Sequence, residues 1–340
     1  MFDNSGAPSR KMDTSSPKQE EKLEIAVRAA WLYHVAGNTQ AEIARKLQIS
    51  RPTAQRLVAF ALERGLVKVR INHKVASCLE LAAALRQRHN LMVCEVVPVN
   101  ADSADQVLRK IAVAAAQVME SYLGEVQPKI IALGSGQTIK AVIGELNVLA
   151  RPQHRLLSLV GTIARDGSSN PYDAALQAAE KIGAKCFLIP APLLADSPEE
   201  RRQWCHHRLY KIVEELSNQA DVAFVGIGDM RIGCPLHRDG FLTKQEVMEL
   251  VKAGAVGDNL GWVFNQTGEL VRAPSQQRVT SIQVRRPPKK PVIAFAGGEH
   301  KALAVLGALR GQWINGLVTD ESCARAVLAG ESGPRTEKIA

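Results

Sequence analysis

The pattern of apolar and polar positions in residues 39–67 predicts two short helices separated by a tight turn. Apolar side chains recur at the three- and four-residue spacing of a helix face in Gln40–Leu47 and again after Ser50. Gln48 and Ile49 form the predicted turn. The residues expected on the packed faces are Ile43, Ala44, Leu47, Ala54, Leu57, Val58 and Ala61. This arrangement predicts a helix-turn-helix, a shape that places its second helix in the major groove of DNA.

Local signals mark the ends of the second of these helices. Ser50 is suited to cap its amino end, Pro52 is tolerated in the first turn, and Gly65 favours a stop. A preceding helix, Ile25–Ala36, is expected to complete a three-helix core, and Leu66–Ile71 alternates apolar and basic residues as a wing strand would. The packing face expected on the preceding helix comprises Ile25, Ala29, Leu32 and Ala36.

Positive charge is concentrated in the same region. Residues 39–75 contain eight Lys or Arg against two acids, which is +6 of the +9 formal net charge of the 340-residue chain. Such a concentration beside a groove-reading helix is typical of DNA binding, and an ordinary solvated surface helix does not account for it. Arg and Gln match guanine and adenine edges, and hydroxyl side chains commonly bind phosphates. The predicted contacts with double-stranded operator DNA are Thr39, Gln40, Ser50, Arg51, Pro52, Thr53, Gln55 and Arg56.

From Met92 onward, short apolar runs alternate with amphipathic helical stretches. Runs that are apolar throughout predict strands buried on both faces, as in a largely parallel sheet covered by helices. The predicted strands are Val93–Val97, Lys129–Leu133, Leu156–Val160, Cys186–Ile189, Val222–Gly226, Val292–Ala296 and Gly316–Val318. The predicted helices between them include Val107–Leu123, Thr138–Leu149, Tyr172–Ile182 and Pro198–Ser217. The expected fold is an all-α, winged helix-turn-helix domain followed by an α/β, Rossmann-like domain.

The composition changes divide the chain into five parts. We expect a disordered tail over residues 1–22, a DNA-binding domain over 23–75, a linker helix over 76–90, an effector-binding domain over 91–332 and a second tail over 333–340. The chain has no run of 18 apolar residues, and its first 22 residues lack the apolar stretch of a signal peptide. We therefore expect a cytoplasmic protein that does not bind membranes.

The cysteines and histidines do not form a recognisable metal pattern. Six cysteines are scattered without a CxxC pair, which is typical of reduced cytosolic thiols. The one cluster is Cys205-His206-His207, whose side chains would point in different directions if all three lay on one helix. Neither a metal site nor a cofactor is expected.

The candidate ligand site lies at the carboxyl ends of the predicted strands, where sheets of this type bind ligands. Strand Lys129–Leu133 leads directly into Gly134–Thr138 and then into a helix. Glycines allow the backbone to approach an anion, and the N–H groups of a helix start bind phosphate oxygens. The loop lacks the Lys-Ser/Thr ending of a Walker A motif and does not match GxGxxG. The loop is therefore a candidate anion site that matches neither of these phosphate-binding motifs.

Other predicted strands end in similar turns. These turns are Gly226–Asp229, Gly297–Lys301 and Thr319–Glu321. Lys301 is expected to face a ligand, because it lies in the first turn after a glycine pair. His300 is not expected to bind one, and Asp320 is expected to cap a helix.

Five long segments occur in an order that resembles one family, the SorC/DeoR-type sugar-responsive bacterial transcriptional regulators. The resemblance extends over residues 25–328 and implies an effector domain similar to phosphosugar isomerases and deaminases, and dimers or tetramers on DNA. The segments that carry it are TQAEIARKLQISRPTAQRLV (39–58), IALGSGQT (131–138), VGIG (225–228), AGAVGDNLGWVFNQTG (253–268) and AGGEHKALAVLGALRGQWINGLVTDE (296–321).

The resemblance also implies roles for individual residues. Lys301 would offset the charge of a phosphate, and Asn170 and Asp258 would hydrogen-bond ligand hydroxyls. Gln137 and the run 259–262 depart from the common family pattern, so an unphosphorylated sugar or polyol stays open beside a sugar phosphate. The loop residues that would hold the phosphate are Gly134, Ser135, Gly136, Gln137 and Thr138.

A rival hypothesis is a phosphosugar isomerase or deaminase with an accessory DNA-binding domain. Such chemistry needs a base near neutral pH above the substrate carbon. Related deaminases have Asp-Gly-His after this glycine turn, where the present chain has Asp229-Met230-Arg231. The missing histidine favours a regulator that binds its ligand without converting it.

Overall fold

The computed structural model describes residues 17–67, 74–100, 102–163, 167–170 and 174–331. The chain forms two compact units, Met1–Asn72 and His73–Ala340. None of the helices in the described ranges is both long enough and apolar enough to cross a membrane.

The first unit contains three helices around a small apolar core. The core side chains predicted on the second and third helices, Leu47 excepted, are buried, and Leu47 packs against them half-buried. Gln48 has the left-handed φ of +55° in the predicted turn, and Gly65 has φ +67° just after the last helix. The three helices are α1 (Pro17–His34), α2 (Gln40–Lys46) and α3 (Arg51–Glu63).

Side-chain caps fix where α2 and α3 begin. The Thr39 hydroxyl accepts a hydrogen bond from the Glu42 N–H at 3.4 Å, and the Glu42 carboxylate accepts the Thr39 N–H at 2.7 Å. Ser50 accepts the N–H of Thr53 at 3.3 Å, and Pro52 lies in the first turn of α3. These contacts satisfy N–H groups that a helix start leaves without partners. The predicted capping role of Ser50 is confirmed.

Three details of the first unit differ from the sequence-based expectation. α1 begins at Pro17, so the last six residues of the predicted tail, 17–22, are helical. Ala36 follows the end of α1 and is exposed, while Ala26 and Ala30 are buried on the helix face instead. In the predicted wing, Leu66 and Val67 are not in a strand, and 68–71 lie outside the described residues, as does most of the first tail and all of the second.

The second unit contains a sheet with helices packed on both faces. Its helices are α4 (Lys74–His89), α5 (Ala104–Leu123), α6 (Gln137–Glu145), α7 (Ala175–Ile182), α8 (Pro198–His206), α9 (Arg208–Gln219), α10 (Pro235–Arg238), α11 (Lys244–Lys252), α12 (Ala302–Arg310) and α13 (Glu321–Glu331). Its strands are β1 (Val93–Val97), β2 (Ile130–Leu133), β3 (Arg155–Ile163), β4 (Lys185–Pro192), β5 (Val222–Gly226), β6 (Gly228–Asp229), β7 (Ala255–Asn259), β8 (Trp262–Asn265), β9 (Val292–Phe295) and β10 (Gly316–Asp320).

The main sheet is parallel and seven-stranded, in the order β1-β10-β9-β5-β2-β3-β4. From β2 the chain builds outward through β3 to β4, whereas from β5 it builds the other way through β9 to β10. The direction of winding therefore reverses between β2 and β5. In an open parallel sheet, connections leave to opposite faces at such a point and open a crevice beyond the strand ends.

Both faces of this sheet are buried, which explains the continuous apolar runs. Along β2, Ala132 packs in one apolar layer while Ile131 and Leu133 pack in the other. Val225 and Phe224 of β5 divide between the layers in the same way. Strand side chains alternate between faces, so every position must be apolar when both faces are covered.

The predicted α/β fold is confirmed, and all seven predicted strands belong to the parallel sheet. A second sheet, the antiparallel β6-β7-β8, was not predicted. The predicted helix Pro198–Ser217 is broken at His207, which ends α8 and caps α9 through its ring nitrogen. The structure describes the predicted helix Tyr172–Ile182 from 174 onward, with α7 beginning at Ala175.

Candidate functional site

The first unit exposes long polar side chains on α3. Arg51, Gln55 and Arg56 are exposed, on the side of the helix away from its buried residues. Arg56 donates a hydrogen bond from Nε to the Pro52 carbonyl at 3.4 Å, which stays within the same helix. Guanidinium and carboxamide groups on a helix of this kind are suited to reading base edges.

The other predicted DNA contacts are engaged in capping or lie close to the caps. The Thr39 hydroxyl donates to Glu42 at 2.8 Å, and the hydroxyls of Ser50 and Thr53 are 2.7 Å apart. Pro52 is exposed and Gln40 is half-buried beside them. These residues therefore shape the amino ends of α2 and α3.

In the second unit, a cleft of about 130 Å³ lies where the sheet reverses its direction. The turns after β2 and β5 both line it. Seven of the eight predicted effector-binding residues line it: Ser135, Gly136, Gln137, Thr138, Asn170, Asp258 and Lys301. The crevice that the strand order predicts is therefore the place where these side chains meet.

Gly134, the eighth, does not line the cleft but holds the loop to the sheet. Its N–H donates to the Phe224 carbonyl of β5 at 2.8 Å. A Cβ at this position would lie 2.9 Å from Leu260 Cδ2 and 3.3 Å from the Val225 Cα, so a side chain would push the loop away from β5. Its contribution to the site is close packing.

Gly136 gives α6 an amino end without a side-chain cap. Its φ is +125°, a region that L residues rarely adopt, and it stands at the cap position without a side-chain hydrogen bond to the helix. Gln137 and Thr138 form the first turn and line the cleft. A helix start that lacks a side-chain acceptor leaves N–H groups and a partial positive charge for an anion.

Lys301, which is half-buried, brings an ammonium group to the cleft. Its Nζ donates to the Ile227 carbonyl at 3.1 Å, which directs the side chain toward the turn after β5. Burial lowers the pKa of Lys301, while the carboxylates of Asp229 and Asp258 act in the opposite direction. An anion placed nearby would favour the charged form.

Asp258 is a half-buried carboxyl on β7. Burial raises its pKa to about 6, although the Gly261 N–H, which donates to Oδ2 at 3.0 Å, and the Lys301 charge favour ionisation. Its Oδ1 occupies the space beside Gly228 where a Cβ would lie. Any side chain at position 228 would therefore displace the carboxyl, and the glycine provides the room for it.

Asn170 is 4% exposed and is positioned by β3. Its N–H donates to the Thr162 carbonyl at 2.7 Å, and its Nδ2 donates to the Gly161 carbonyl at 3.3 Å. A carboxamide that lines a cleft is suited to hydrogen bonding with ligand hydroxyls. Carboxyl, carboxamide, ammonium and an uncapped helix start together suit a ligand that is both hydroxylated and anionic.

The structure accounts for the other residues considered from the sequence. His300 is not among the described residues that line the cleft. Asp320 caps α13, as predicted, by accepting the N–H groups of Ser322 at 2.9 Å and Cys323 at 3.2 Å. In the described ranges no three His, Cys, Asp or Glu side chains are placed to share a metal ion.

The remaining wall of the cleft was not predicted from the sequence. It comprises apolar side chains and a polar pair: Leu193, Leu236, Phe241, Leu260, Arg238 and Asp239. The Asp239-Gly240 pair is a turn signal, and it marks the end of α10. A turn signal does not indicate which cavity the turn faces, so only the fold assigns these residues to the site.

Comparison with known proteins agrees with both units. Residues 73–329 match the family model described as "Putative sugar-binding domain", and residues 22–66 match a homeodomain-like domain. The erythritol catabolism regulatory protein EryD of Brucella abortus is 31% identical, with 91% of this chain and 98% of that protein covered. The transcriptional regulator LsrR of Klebsiella pneumoniae is 33% identical, with 90% and 93% covered.

A solved structure shows the same architecture. The full-length sorbitol operon regulator SorC of Klebsiella pneumoniae superposes with a TM-score of 0.67 at 27% identity, over 91% of this chain and 99% of that one. The fold and the cleft therefore define a transcriptional regulator that joins a helix-turn-helix to a sugar-binding domain. The chain belongs to the SorC/DeoR-type family of sugar-responsive transcriptional regulators.

Proposed function

We propose that α3 reads operator DNA through Arg51, Gln55 and Arg56. The observation that supports this is that their long side chains are exposed on a helix whose opposite face, including Ala54 and Leu57, is buried. The capped amino ends of α2 and α3 add phosphate contacts that set the register on the duplex.

We further propose that a sugar, a polyol or a sugar phosphate in the cleft controls this DNA binding. The single observation that carries the proposal is that Gly136, Lys301, Asp258 and Asn170, from four different parts of the sequence, line one cleft at the reversal point of the sheet. The amino end of α6 and Lys301 suit an anionic group, while Asp258 and Asn170 suit hydroxyls.

A ligand screen followed by DNA binding tests this function. Two relatives are named for erythritol catabolism and for a sorbitol operon, so the panel includes both polyols, common sugars and the monophosphates of each. A compound that binds the native state raises the melting temperature. Selection from random duplex DNA supplies the operator, and fluorescence anisotropy measures its affinity with and without each hit. Ligand binding that leaves operator affinity unchanged would contradict the proposal.

We propose that the effector domain binds its ligand without converting it. Asp229, which follows the glycine turn, is paired with Arg231, and the histidine of the deaminase pattern is absent from this position. NMR spectra of the ligand after prolonged incubation with protein should show no product. Conversion that is abolished by Asp258→Asn would instead support an enzyme, with Asp258 as its base.

We also propose that the protein binds DNA in the cytoplasm as a dimer or a tetramer. A single helix-turn-helix reads few base pairs, so two-fold symmetric assemblies usually supply specificity. Leu79 on α4 is 60% exposed, and β1 is an edge strand of the sheet beside that helix. Light scattering at micromolar concentration should give a mass that is a multiple of the 36.9 kDa chain mass. The Leu79→Lys variant should give a lower measured mass. A wild-type monomer, with and without DNA, would contradict this assembly.

A further inference from the structure

Residues 233–242, which we call the 233–242 segment, form one wall of the cleft without any assigned role. Two glycines with left-handed φ, +85° at Gly233 and +76° at Gly240, bracket the short helix α10. The segment closes on itself, because the Leu242 N–H donates to the Leu236 carbonyl at 2.8 Å. It is therefore a preformed loop that presents a fixed set of side chains to the cleft, namely Pro235, Leu236, Arg238, Asp239 and Phe241.

Asp239 is the acidic member of this wall, and half of its carboxylate is engaged. Its Oδ1 accepts a hydrogen bond from Arg238 Nε at 3.2 Å. Its Oδ2 is shielded from solvent and has no hydrogen-bond partner among the described residues. The side chain is 16% exposed, whereas that of Arg238 is 55% exposed. A buried carboxylate oxygen without a donor is costly, and such atoms in native proteins commonly mark a functional contact.

The position of Asp239 limits what its second oxygen accepts. An ionised carboxylate is an acceptor only, so its partner must donate a proton, as a hydroxyl does. A phosphate oxygen at the same place would offer Oδ2 no proton, and the cleft already has an anion-type subsite at Gly136 and Thr138. A hydroxylated, unphosphorylated part of a ligand therefore suits the place next to Asp239.

We propose that Asp239 is a specificity-determining residue that accepts a hydrogen bond from an effector hydroxyl remote from any phosphate. This inference rests on the proposed effector function of the cleft. It predicts preference for polyols and monophosphates over bisphosphates, because a second phosphate beside Asp239 offers no proton to its carboxylate oxygen. It also predicts discrimination against ligands that lack the hydroxyl, since the carboxylate oxygen would then be buried without a donor.

The test compares Asp239→Ala and Asp239→Asn with wild type by isothermal titration calorimetry on the full-length protein. The probes are erythritol, sorbitol, ribose 5-phosphate and fructose 6-phosphate, with fructose 1,6-bisphosphate as the doubly charged counterpart. Asp239→Ala should weaken the best-bound polyol or monophosphate by about tenfold to a hundredfold. Asp239→Asn keeps an acceptor oxygen and loses the charge, so it should retain more affinity and bind the bisphosphate relatively better.

The control is Asp105→Ala, which removes an exposed carboxylate on α5 and should bind every probe as wild type does. A purely structural role for Asp239 would change the melting temperature without changing the ratio of monophosphate to bisphosphate affinity. If both Asp239 variants bind the probes as wild type does, with the same ratio of monophosphate to bisphosphate affinity, the role of Asp239 alone is overturned. Failure of wild type to bind any probe overturns the proposed effector class and this inference with it.

Discussion

Asp258→Asn should alter how the stability of the effector domain depends on pH. The pKa of Asp258 is raised from 3.8 to about 6, chiefly because the carboxyl is buried, while the Asp229 charge adds to the shift and Lys301 opposes it. The folded state thus holds this proton more tightly than the unfolded chain does. The free energy of unfolding should fall as pH rises from about 4 to about 6, and this contribution should be constant above that window.

The size of the effect follows from the shift. A change of about two pKa units corresponds to about 3 kcal/mol in full, of which about 2 kcal/mol falls between about pH 4.5 and pH 7.5. The asparagine of the variant does not titrate, so the difference between the unfolding free energies of wild type and variant should change by that amount over this range. The variant should be relatively more stable at the upper end of the range than at the lower end.

Urea unfolding followed by tryptophan fluorescence measures this difference. Three of the four tryptophans, Trp204, Trp262 and Trp313, lie in the second unit, so the signal reports mainly on the domain that contains Asp258. Asp105→Asn removes an exposed carboxyl and controls for the loss of one charge. If the wild-type and Asp258→Asn curves stay parallel across the whole pH range, the buried-carboxyl argument is refuted.

Three other predictions concern the DNA-binding helix and the anion subsite. Arg51→Ala and Arg56→Ala should each weaken operator binding by about 1–3 kcal/mol in anisotropy titrations, with an unchanged circular dichroism spectrum, where the arginine contacts a base. Gly136→Val and Lys301→Ala should bind the operator normally but lose the response to ligand, because one blocks the loop and the other removes a contact worth about 1.5–3 kcal/mol. Ser50→Ala should lower the stability of the first unit by about 1 kcal/mol in thermal unfolding, through loss of the α3 cap.

Matched variants make these outcomes decisive. Arg109→Ala removes an exposed positive charge on α5 and should leave operator affinity unchanged. Gly183→Val introduces a side chain at another left-handed position, φ +70°, and controls for backbone strain at Gly136. Wild-type operator affinity in both arginine variants would contradict the proposed recognition helix. A normal ligand response in Lys301→Ala would exclude it from the effector site, and a best ligand without charge would remove the phosphate role of the loop.

Sequence alone determined the elements whose signals are local. The helix-turn-helix was predictable because capping residues, a turn and a spacing of three and four positions all fall within about 30 residues. The seven strands were predictable because a sheet covered on both faces requires unbroken apolar runs. The loop at Gly134–Thr138 was visible because it directly follows one of those runs.

The β7–β8 hairpin was missed because its sequence lacks a usual hairpin signal. Its two-residue turn is Leu260-Gly261, with φ of +57° and +83°, in place of the common Asn-Gly or Asp-Gly. Leucine rarely adopts a positive φ. Here Leu260 is 7% exposed and lines the cleft, so burial of its side chain helps hold the turn.

Which distant residues meet depends on the tertiary structure. Asp258 was assigned by resemblance, but its raised pKa depends on burial and on the nearby charge of Asp229, against the opposing charge of Lys301, and no spacing in the chain specifies these contacts. Asp239 belongs to the cleft only because the 233–242 segment folds over the strand ends. Local hydrogen bonding and periodicity are determined by neighbouring residues, whereas burial and charge proximity arise from contacts between segments tens of residues apart. The elements could therefore be predicted from the chain, and the chemistry of the cleft required the fold.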